Sequence, residues 1–474
     1  MTSLSRAVEL AKQGDSGEAD AIFQHLLRSP LRSPAVDYNY AVFCRDHGRT
    51  EQAVSLLREM LRVHSTHAPG LRLLAELLLV QGPSEFPGVL RRLKRVAAVD
   101  APLLRLEAAF FSGCGNHLRA VELLQEALAI GGRTVESLFN YSVVLERLGD
   151  RGGASVLLEE VLGLSPDHHL AAHNLAHHRL ASGDFGQGWD LYESRWHSPA
   201  HRSPAMFPPD SQWDGCATQL PLVVWPEQGL GERILFSGFI TDLLDVVERV
   251  LWITDVRLIP LLRPLYPTIE FLGADAVFTH SFPSEFHQVS AGSLGRFFGR
   301  EVGFRRPRLA DGAASTGGVD SSDAVGISWR STSPELGAEK SFPLATFEAL
   351  ISSCAGTCEV VSLQHDLLSA ECAWLQERGV FVPNDRIDLR DDLVGLAGLI
   401  QGCSRVVTVS NTVAHLSGAL GVQADVLTSA GLQALWFWEN PTLVKGWYPS
   451  VNVHRQSVPG DWASAFAAAG LPFP

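Results

Sequence analysis

The chain has 474 residues, of which 46% are hydrophobic and 19% charged, and its formal net charge is −14. This length predicts two or three domains, and the composition excludes extended disorder. No basic stripe offsets the acidic total, which excludes broad nucleic-acid binding. A local anion site is still compatible with the charge, because backbone amides at a helix start can hold phosphate.

Cysteine usage and the N-terminus indicate the compartment. Seven scattered cysteines predict reduced thiols and no disulfide framework. The first residues pass directly into an amphipathic pattern without the apolar core of a signal peptide. No apolar run approaches the length of a membrane span, since Arg72 and Glu76 interrupt the longest one. We therefore expect a cytoplasmic protein with no membrane span.

Glycines recur every 33 or 34 residues through the first part of the chain. They are Gly14, Gly48, Gly82, Gly115, Gly149 and Gly183. A small residue precedes each glycine by seven positions, and another follows most of them by five. This pattern is typical of tetratricopeptide helical hairpins, in which the glycine serves the turn and small side chains let two helices approach closely. The sequence predicts about six such hairpins over residues 1–200, each covering the apolar face of its neighbour.

Two hairpins depart from the pattern. Pro83 and Pro87 stand where the second helix of the third hairpin should begin, so we expect that hairpin to be distorted. The sixth hairpin runs through Trp189 and ends at Arg195-Trp196. We interpret it as the cap that joins the repeats to the rest of the chain.

Three repeats carry asparagine two residues before the small residue of the first helix. These are Asn39, Asn140 and Asn174. In a superhelical array this position can face the concave groove, where an amide offers a donor and an acceptor to the backbone of an extended peptide. The pattern resembles the asparagine ladder in the repeats of O-linked N-acetylglucosamine transferase, which implies a protein or peptide acceptor. The alternative is solvated or locally bonded asparagine, because three of the six repeats lack it.

After the repeats the pattern changes to strand, loop and helix. Residues 220–225 predict a buried strand, and a glycine-containing turn and a helix from Ile234 follow it. α/β proteins place ligands at such turns. A polar stretch over residues 311–323 predicts a linker, and Ala324 begins a second α/β unit. We expect two lobes, residues 201–312 and 323–474, with a cleft between them.

From about residue 170 the sequence resembles bacterial tetratricopeptide-repeat glycosyltransferases of the GT-B class, whose lobes are similar to those of heptosyltransferases. Several motifs in the same order carry the resemblance: Trp189 to Trp196, Glu227-Gln-Gly-Leu-Gly231, Gly326-Ile-Ser-Trp329, Ser362-Leu-Gln364, Ser410-Asn-Thr-Val-Ala-His-Leu416 and Trp447-Tyr-Pro449. It implies a helical solenoid followed by a two-lobed, Rossmann-like GT-B domain. It also implies transfer of a sugar from a nucleotide-sugar donor to a protein acceptor. No metal or other cofactor is expected, and the chain has no Asp-x-Asp motif.

The resemblance implies a set of donor-binding residues: Gly229, Gly231, Ser328, Trp329, Lys340, Gln364, Ser410, Asn411, Thr412 and His415. Free amides at the helix start after Ser410 suit a phosphate, and Lys340 would reach the diphosphate. Each residue also has an ordinary alternative. Ser and Asn cap helices routinely, a lone lysine is usually solvated, and His415 could be a core histidine.

The resemblance also implies a catalytic base. Glu232 stands where the heptosyltransferase pattern has an aspartate that acts as base, and its extra methylene changes the reach of the carboxylate. Ser410-Asn411 replaces the usual Asp-Thr, which removes a negative charge near the expected phosphates. A flagellin acceptor with a nonulosonic acid donor is the expected substrate pair. The exchange at Glu232 leaves open a non-catalytic adaptor whose lobes have lost activity, and a transferase building surface polysaccharide is a third alternative.

Overall fold

The computed structural model describes residues 2–30, 32–197, 205–227, 229–312, 323–333, 337–383, 387–430 and 435–473. The chain divides into two compact units, Met1–Ser165 and Pro166–Pro474. This division does not coincide with the boundary near residue 200 expected from the repeats. The sixth hairpin shares its hydrophobic core with the sheets of the second unit. The linker expected at 311–323 lies mostly outside the described residues.

The first unit consists of helices joined by short turns. They are α1 (Ser3–Gln13), α2 (Ser16–Arg28), α3 (Pro34–Asp46), α4 (Thr50–Val63), α5 (Ala68–Gln81), α6 (Phe86–Val96), α7 (Ala101–Gly113), α8 (His117–Gly131), α9 (Val135–Arg147) and α10 (Arg151–Leu164). Consecutive pairs form five hairpins. Within each hairpin the small residues predicted at the helix contact, such as Ala7 and Ala19, are completely buried. None of the helices in the described residues is long and apolar enough to cross a membrane.

The turn glycines explain the period of the repeats. Gly14, Gly48, Gly115 and Gly149 have φ between 72° and 88°. This is the left-handed region, which glycine adopts without the steric cost that a Cβ brings. The predicted helical repeats, resembling tetratricopeptide repeats, are therefore confirmed.

The third hairpin is irregular, as expected. Gly82 has φ of −157° and ψ of 59°, so it does not adopt the left-handed turn of the other repeat glycines. Helix α6 begins at Phe86, four residues after this glycine, whereas α4 begins two residues after Gly48. Pro87 lies in the first turn of α6, where its missing N–H removes no helical hydrogen bond. The prolines delay the helix and shorten it, but they do not break it.

The second unit begins with the sixth hairpin and continues with alternating strands and helices. Its helices are α11 (His169–Ser182), α12 (Phe185–Tyr192), α13 (Leu230–Phe236), α14 (Ile240–Leu244), α15 (Ile259–Leu262), α16 (Gly295–Phe298), α17 (Glu348–Cys354), α18 (Ser369–Glu377), α19 (Leu393–Gln401), α20 (Thr412–Leu420), α21 (Trp436–Glu439), α22 (Pro441–Trp447) and α23 (Trp462–Ala468). A 3-10 turn over Glu193–His197 follows α12.

Two parallel sheets lie in the two residue ranges that were predicted as lobes. The strands are β1 (Leu222–Trp225), β2 (Val250–Thr254), β3 (Glu270–Gly273), β4 (His287–Ser290), β5 (Ala324–Ser328), β6 (Val360–Ser362), β7 (Cys403–Val409), β8 (Ala424–Thr428) and β9 (Val451–Arg455). The first sheet has the order β3-β2-β1-β4 and the second β6-β5-β7-β8-β9. In each sheet the strand order reverses beside the first strand of the lobe. Ligand sites of open α/β sheets form at the carboxyl ends of strands at such reversals.

A buried ion pair fixes the sixth hairpin to the first sheet. Arg195 is 0% exposed, and its Nε and Nη2 donate to the two carboxylate oxygens of Glu227 at 2.6 and 2.8 Å. Nη2 also reaches the hydroxyl oxygens of Ser290 and Ser293 at 3.1 and 2.8 Å. The amide of Gly292 donates to Glu227 at 3.1 Å. One arginine thereby ties the end of the repeats to the loops that follow β1 and β4.

An aromatic residue of the same hairpin contacts both lobes. The Trp189 indole donates through Nε1 to the carbonyl of Gly299 at 3.2 Å. Its ring lies edge-on to Phe304 at 5.5 Å and to Trp436 at 5.6 Å. A Cβ on Gly295 would sit 2.4 Å from this indole, so only glycine lets α16 approach. The predicted cap is thus part of the core of the second unit.

Replacing Arg195 by methionine should destabilise the second unit by about 3–5 kcal/mol, because the buried Glu227 carboxylate would lose its countercharge. All eleven tryptophans lie beyond residue 166, so tryptophan fluorescence during urea unfolding reports on this unit alone. Arg300→Ala is the control, since its ion pair with Asp190 is half-exposed and should contribute about 0–1 kcal/mol. Equal effects of the two substitutions would contradict the structural role of Arg195.

Candidate functional site

The starts of two helices from different sheets meet in the second unit. Helix α13 follows β1, and α20 follows β7. A Cβ on Gly231 would lie 2.5 Å from Cδ2 and 2.9 Å from Nε2 of His415, so the imidazole packs directly against this glycine. The two turns that the sequence singled out, one per lobe, are therefore neighbours. The amino end of each helix carries partial positive charge that favours an anion.

Glu232 lies in the first turn of α13. Its Oε2 accepts a hydrogen bond of 3.1 Å from the amide of Gly229, which caps the helix. The side chain is half-buried. Burial raises the pKa of Glu232 to about 7, although the Gly229 amide and the charge of Lys340 oppose the rise. Near neutral pH the carboxyl group is thus present in both protonation states, which suits a general base working at that pH.

The charge of Lys340 acts on both Glu232 and His415. The lysine is only 5% exposed. Burial lowers the pKa of Lys340, while the negative charge of Glu232 opposes that shift. In the described part of the chain its ammonium group forms no hydrogen bond or ion pair. A buried cation is costly unless a partner compensates it, so this position is well suited to an anionic ligand.

His415, which packs against Gly231, is enclosed by aromatic residues. It is 3% exposed, and its ring lies 5.3 Å from Phe437 and 4.8 Å from Trp438. Burial, together with the nearby charge of Lys340, lowers the pKa of His415 to about 3. The imidazole is therefore neutral at physiological pH. His415 is therefore buried like a core histidine, and its imidazole also contacts Gly231 at the start of α13.

Ser328, Gln364 and Asn411 form an internal hydrogen-bond network. The Asn411 amide donates to the Ser328 hydroxyl at 2.8 Å, and that hydroxyl donates to Gln364 Oε1 at 3.1 Å. Asn411 Oδ1 also accepts the amide of Val413 at 3.0 Å and so caps α20. The network ties together the carboxyl ends of β5, β6 and β7. These polar atoms are hydrogen-bonded to other groups of the protein. Their contact with a nucleotide-sugar donor stays a prediction.

The remaining residues predicted to bind a donor occupy different environments. The Trp329 indole is 1% exposed and packs in the core near Phe347, and its backbone N–H donates to Gln364 Oε1 at 3.1 Å. Thr412 is the first residue of α20 and is half-buried. Gly229 precedes α13 and is exposed. Gln228, beside it, lies outside the described residues.

Buried hydroxyl groups cluster at the carboxyl edge of the second sheet. Among the described residues the hydroxyls of Ser410, Thr428 and Ser429 are buried without a hydrogen-bond partner. Ser410 and Thr428 follow Val409 and Leu427, which are paired in the register of β7 and β8, so the two residues are adjacent. An unbonded buried hydroxyl is costly, and a ligand at this edge would satisfy it. The sequence pointed only to Ser410. The Thr-Ser pair at the end of the buried strand β8 was the signal for the other two.

The three asparagines of the repeats do not share one compact unit. Asn39 and Asn140 lie in the first unit and Asn174 in the second. Asn39 donates to the carbonyl of Ala35 in its own helix at 2.7 Å, which is the local bonding considered as the alternative. Asn140 and Asn174 form no side-chain hydrogen bond within the described residues. Their contact with an acceptor stays a prediction.

Taken together, the site offers a carboxyl group with a pKa of about 7, a buried cation and a neutral imidazole beside two helix starts. This set can accept a proton and hold a negative charge. Among the described residues no group of three or more His, Cys, Asp or Glu side chains could hold a metal ion.

Comparison with known proteins finds a relative whose similarity extends over nearly the whole chain. No protein-family model matches the sequence. The chain is similar to Protein FlbA of Caulobacter vibrioides, with 24% identity over 97% of this chain and 87% of that protein. The similarity therefore extends over the repeats and both sheets.

Similar solved structures cover part of this chain. They include a thermophilic TPR protein of Thermus thermophilus (20% identity, 38% of this chain and 97% of that chain, TM-score 0.33). Another is YrrB, described as a TPR protein with an unusual peptide-binding site (15%, 36% and 89%, TM-score 0.28). These scores are too low to carry an argument, so the repeat architecture rests on the helices and turns described above. The chain is a protein with tetratricopeptide-like repeats that is similar to FlbA.

Glu232→Gln should stabilise the second unit by about 1–2 kcal/mol at pH 8.5 and change little at pH 4.5. A carboxyl group whose pKa is raised on folding contributes stability below its unfolded pKa, near 4.5, and that contribution is lost as the pH rises through about 7. The neutral amide avoids the loss. Urea unfolding followed by tryptophan fluorescence at the two pH values measures the difference. Exposed Glu301→Gln controls for removing a carboxylate, and a pH-independent effect of Glu232→Gln would contradict the raised pKa.

Proposed function

We propose that this protein is a metal-independent glycosyltransferase of the GT-B type, which moves a sugar from a nucleotide-sugar donor to a protein acceptor bound by its repeats. One observation carries the proposal: Glu232, whose pKa is raised to about 7, lies where the starts of α13 and α20 meet and interacts electrostatically with the buried Lys340. This pairing provides a base and an anion-stabilising group within one site. Glycosyl transfer to a hydroxyl group requires both.

The proposed reaction divides the work between the two lobes. The acceptor oxygen attacks the anomeric carbon of the donor, and the bond from that carbon to the phosphate oxygen breaks with its electron pair leaving on the phosphate. Glu232, as carboxylate, takes the proton of the acceptor hydroxyl. Lys340 and the free amides at the start of α20 stabilise the negative charge of the departing nucleotide. The unbonded hydroxyls of Ser410, Thr428 and Ser429 would hydrogen-bond to the donor.

The acceptor side of the proposal rests on the repeats. Asn140 lies on α9 with an amide that is not engaged within the described residues, and such an amide can bond to both the N–H and the C=O of a peptide. The proposed acceptor is a protein segment in extended conformation. Flagellin with a nonulosonic acid donor is the first substrate pair to assay.

A non-catalytic adaptor is the second candidate, and one observation favours it. Ser328, Gln364 and Asn411 saturate one another instead of presenting free polar atoms. In this alternative the lobes would only support the repeats. In an adaptor no ligand would compensate the buried charge of Lys340, and this makes the adaptor the weaker candidate.

A panel of nucleotides and nucleotide sugars should contain ligands that raise the thermal midpoint of the protein. Lys340→Met should weaken binding of the best ligand about 10-fold or more, because the ligand would lose its buried countercharge. Glu232→Gln should preserve ligand binding to within about 3-fold and lower the transfer rate at least about 100-fold, as expected for loss of a general base. In the unmodified protein the rate should rise with pH through about 7. Binding of no nucleotide would reject the enzyme and support the adaptor.

Asn140→Ala should raise the acceptor KM about 5- to 10-fold and leave the kcat and the donor KM unchanged, because the asparagine acts on the peptide alone. Asn39→Ala is the matched control: its amide N–H already donates within α3, so the acceptor KM should change less than about 2-fold. Steady-state kinetics with a protein acceptor distinguish the two. Equal kinetics of the Asn140 variant and the unmodified protein would reject peptide recognition at this position.

A further inference from the structure

Tyr448 holds its hydroxyl group against His415. The hydroxyl oxygen lies 3.0 Å from Nδ1 of the imidazole. The tyrosine ring packs over Gly418, one turn after His415 on α20, where an added Cβ would meet Cδ1 at 2.4 Å. Trp438 stacks on the other side, with ring centres 5.7 Å apart and planes 25° apart. Tyr448 is completely buried, so its hydroxyl has one fixed position.

The hydrogen bond between these two residues has a definite direction. A phenol carries one proton, and a buried hydroxyl proton needs an acceptor. Within the described residues His415 Nδ1 is the hydrogen-bond partner of the Tyr448 hydroxyl. If Nδ1 carried the proton and donated it, the phenolic proton would be buried without an acceptor. The phenol therefore donates to Nδ1, and the single proton of the neutral imidazole lies on Nε2.

The Nε2–H group points toward the site. It lies beside Gly231, where a side chain would collide with the imidazole and glycine leaves room for it. The described residues supply no acceptor for it. The positive charge of Lys340 is close enough to disfavour protonation of the imidazole. The result is a neutral donor adjacent to a cation, an arrangement that suits an oxygen of an anionic ligand.

We propose that Tyr448 is a positioning residue that fixes His415 as the Nε2–H tautomer, and that this N–H donates to a phosphate oxygen of the ligand held by Lys340. The identity of the ligand rests on the proposed function, whereas the tautomer does not. Tyr448 itself does not touch the ligand. Its hydroxyl group acts by orienting the proton on His415.

Nitrogen NMR of protein labelled with ¹⁵N-histidine tests the tautomer directly. The signals of His415 are assigned by their loss in His415→Gln. In the unmodified protein they should show the neutral Nε2–H form throughout about pH 6–8, and in Tyr448→Phe they should move toward the Nδ1–H form. Tyr40→Phe is the matched control, because it removes a buried tyrosine hydroxyl in the first unit and should leave the His415 signals unchanged. An Nδ1–H form in the unmodified protein would overturn the proposal.

Pyrophosphate, titrated by calorimetry, tests the contact with the ligand. Tyr448→Phe should weaken binding about 5- to 10-fold and His415→Phe by at least as much. His415→Gln, whose side-chain amide can donate from a position near Nε2, should restore affinity to within about 3-fold of the unmodified protein. Unchanged affinity in both Tyr448→Phe and His415→Phe would overturn the ligand contact. If pyrophosphate does not bind the unmodified protein, the phosphate contact fails. The nucleotide panel decides the proposed function separately, and the NMR result still decides the role of Tyr448.

Discussion

The second unit depends on the buried ion pair between Arg195 and Glu227. Two charges in an interior are tolerated only when each is fully hydrogen-bonded, and Arg195 meets this condition through Glu227, Ser290 and Ser293. The pair joins the end of the sixth hairpin to the residue that opens the turn between β1 and α13. Glu232 lies in the first turn of α13, directly after that loop. The position of the candidate base is thus fixed by a contact made from the repeats.

Burial shifts all three titratable groups of the site toward their neutral forms. It raises the pKa of Glu232 to about 7, lowers that of Lys340 and lowers that of His415 to about 3. The opposite charges of Glu232 and Lys340 only partly offset this loss of hydration. An anion beside Lys340 would stabilise its charged form. The same desolvation that makes the site costly for the free protein would strengthen its interaction with a ligand.

Much of the architecture was predictable because local rules govern it. The 33- to 34-residue period of turn glycines and buried small residues predicted the helical hairpins. A strand was expected at the position of β1, and a second α/β unit was expected to begin at Ala324, where β5 begins. Less local features were not predictable. Asparagines at one repeat position suggested a single ladder, but Asn39 bonds within its own helix and Asn174 belongs to the second compact unit.

The sequence by itself determined the repeats, the strand–turn–helix units and the residue types at each turn, because periodicity and backbone preferences are encoded within a few residues. Only the tertiary structure decided that Gly231 and His415 lie in contact, that Lys340 is buried near both Glu232 and His415, and that Tyr448 bonds to the imidazole. These contacts join residues separated by about 30 to 180 positions. They arise from packing of two sheets and the sixth hairpin into one core, which no local pattern specifies.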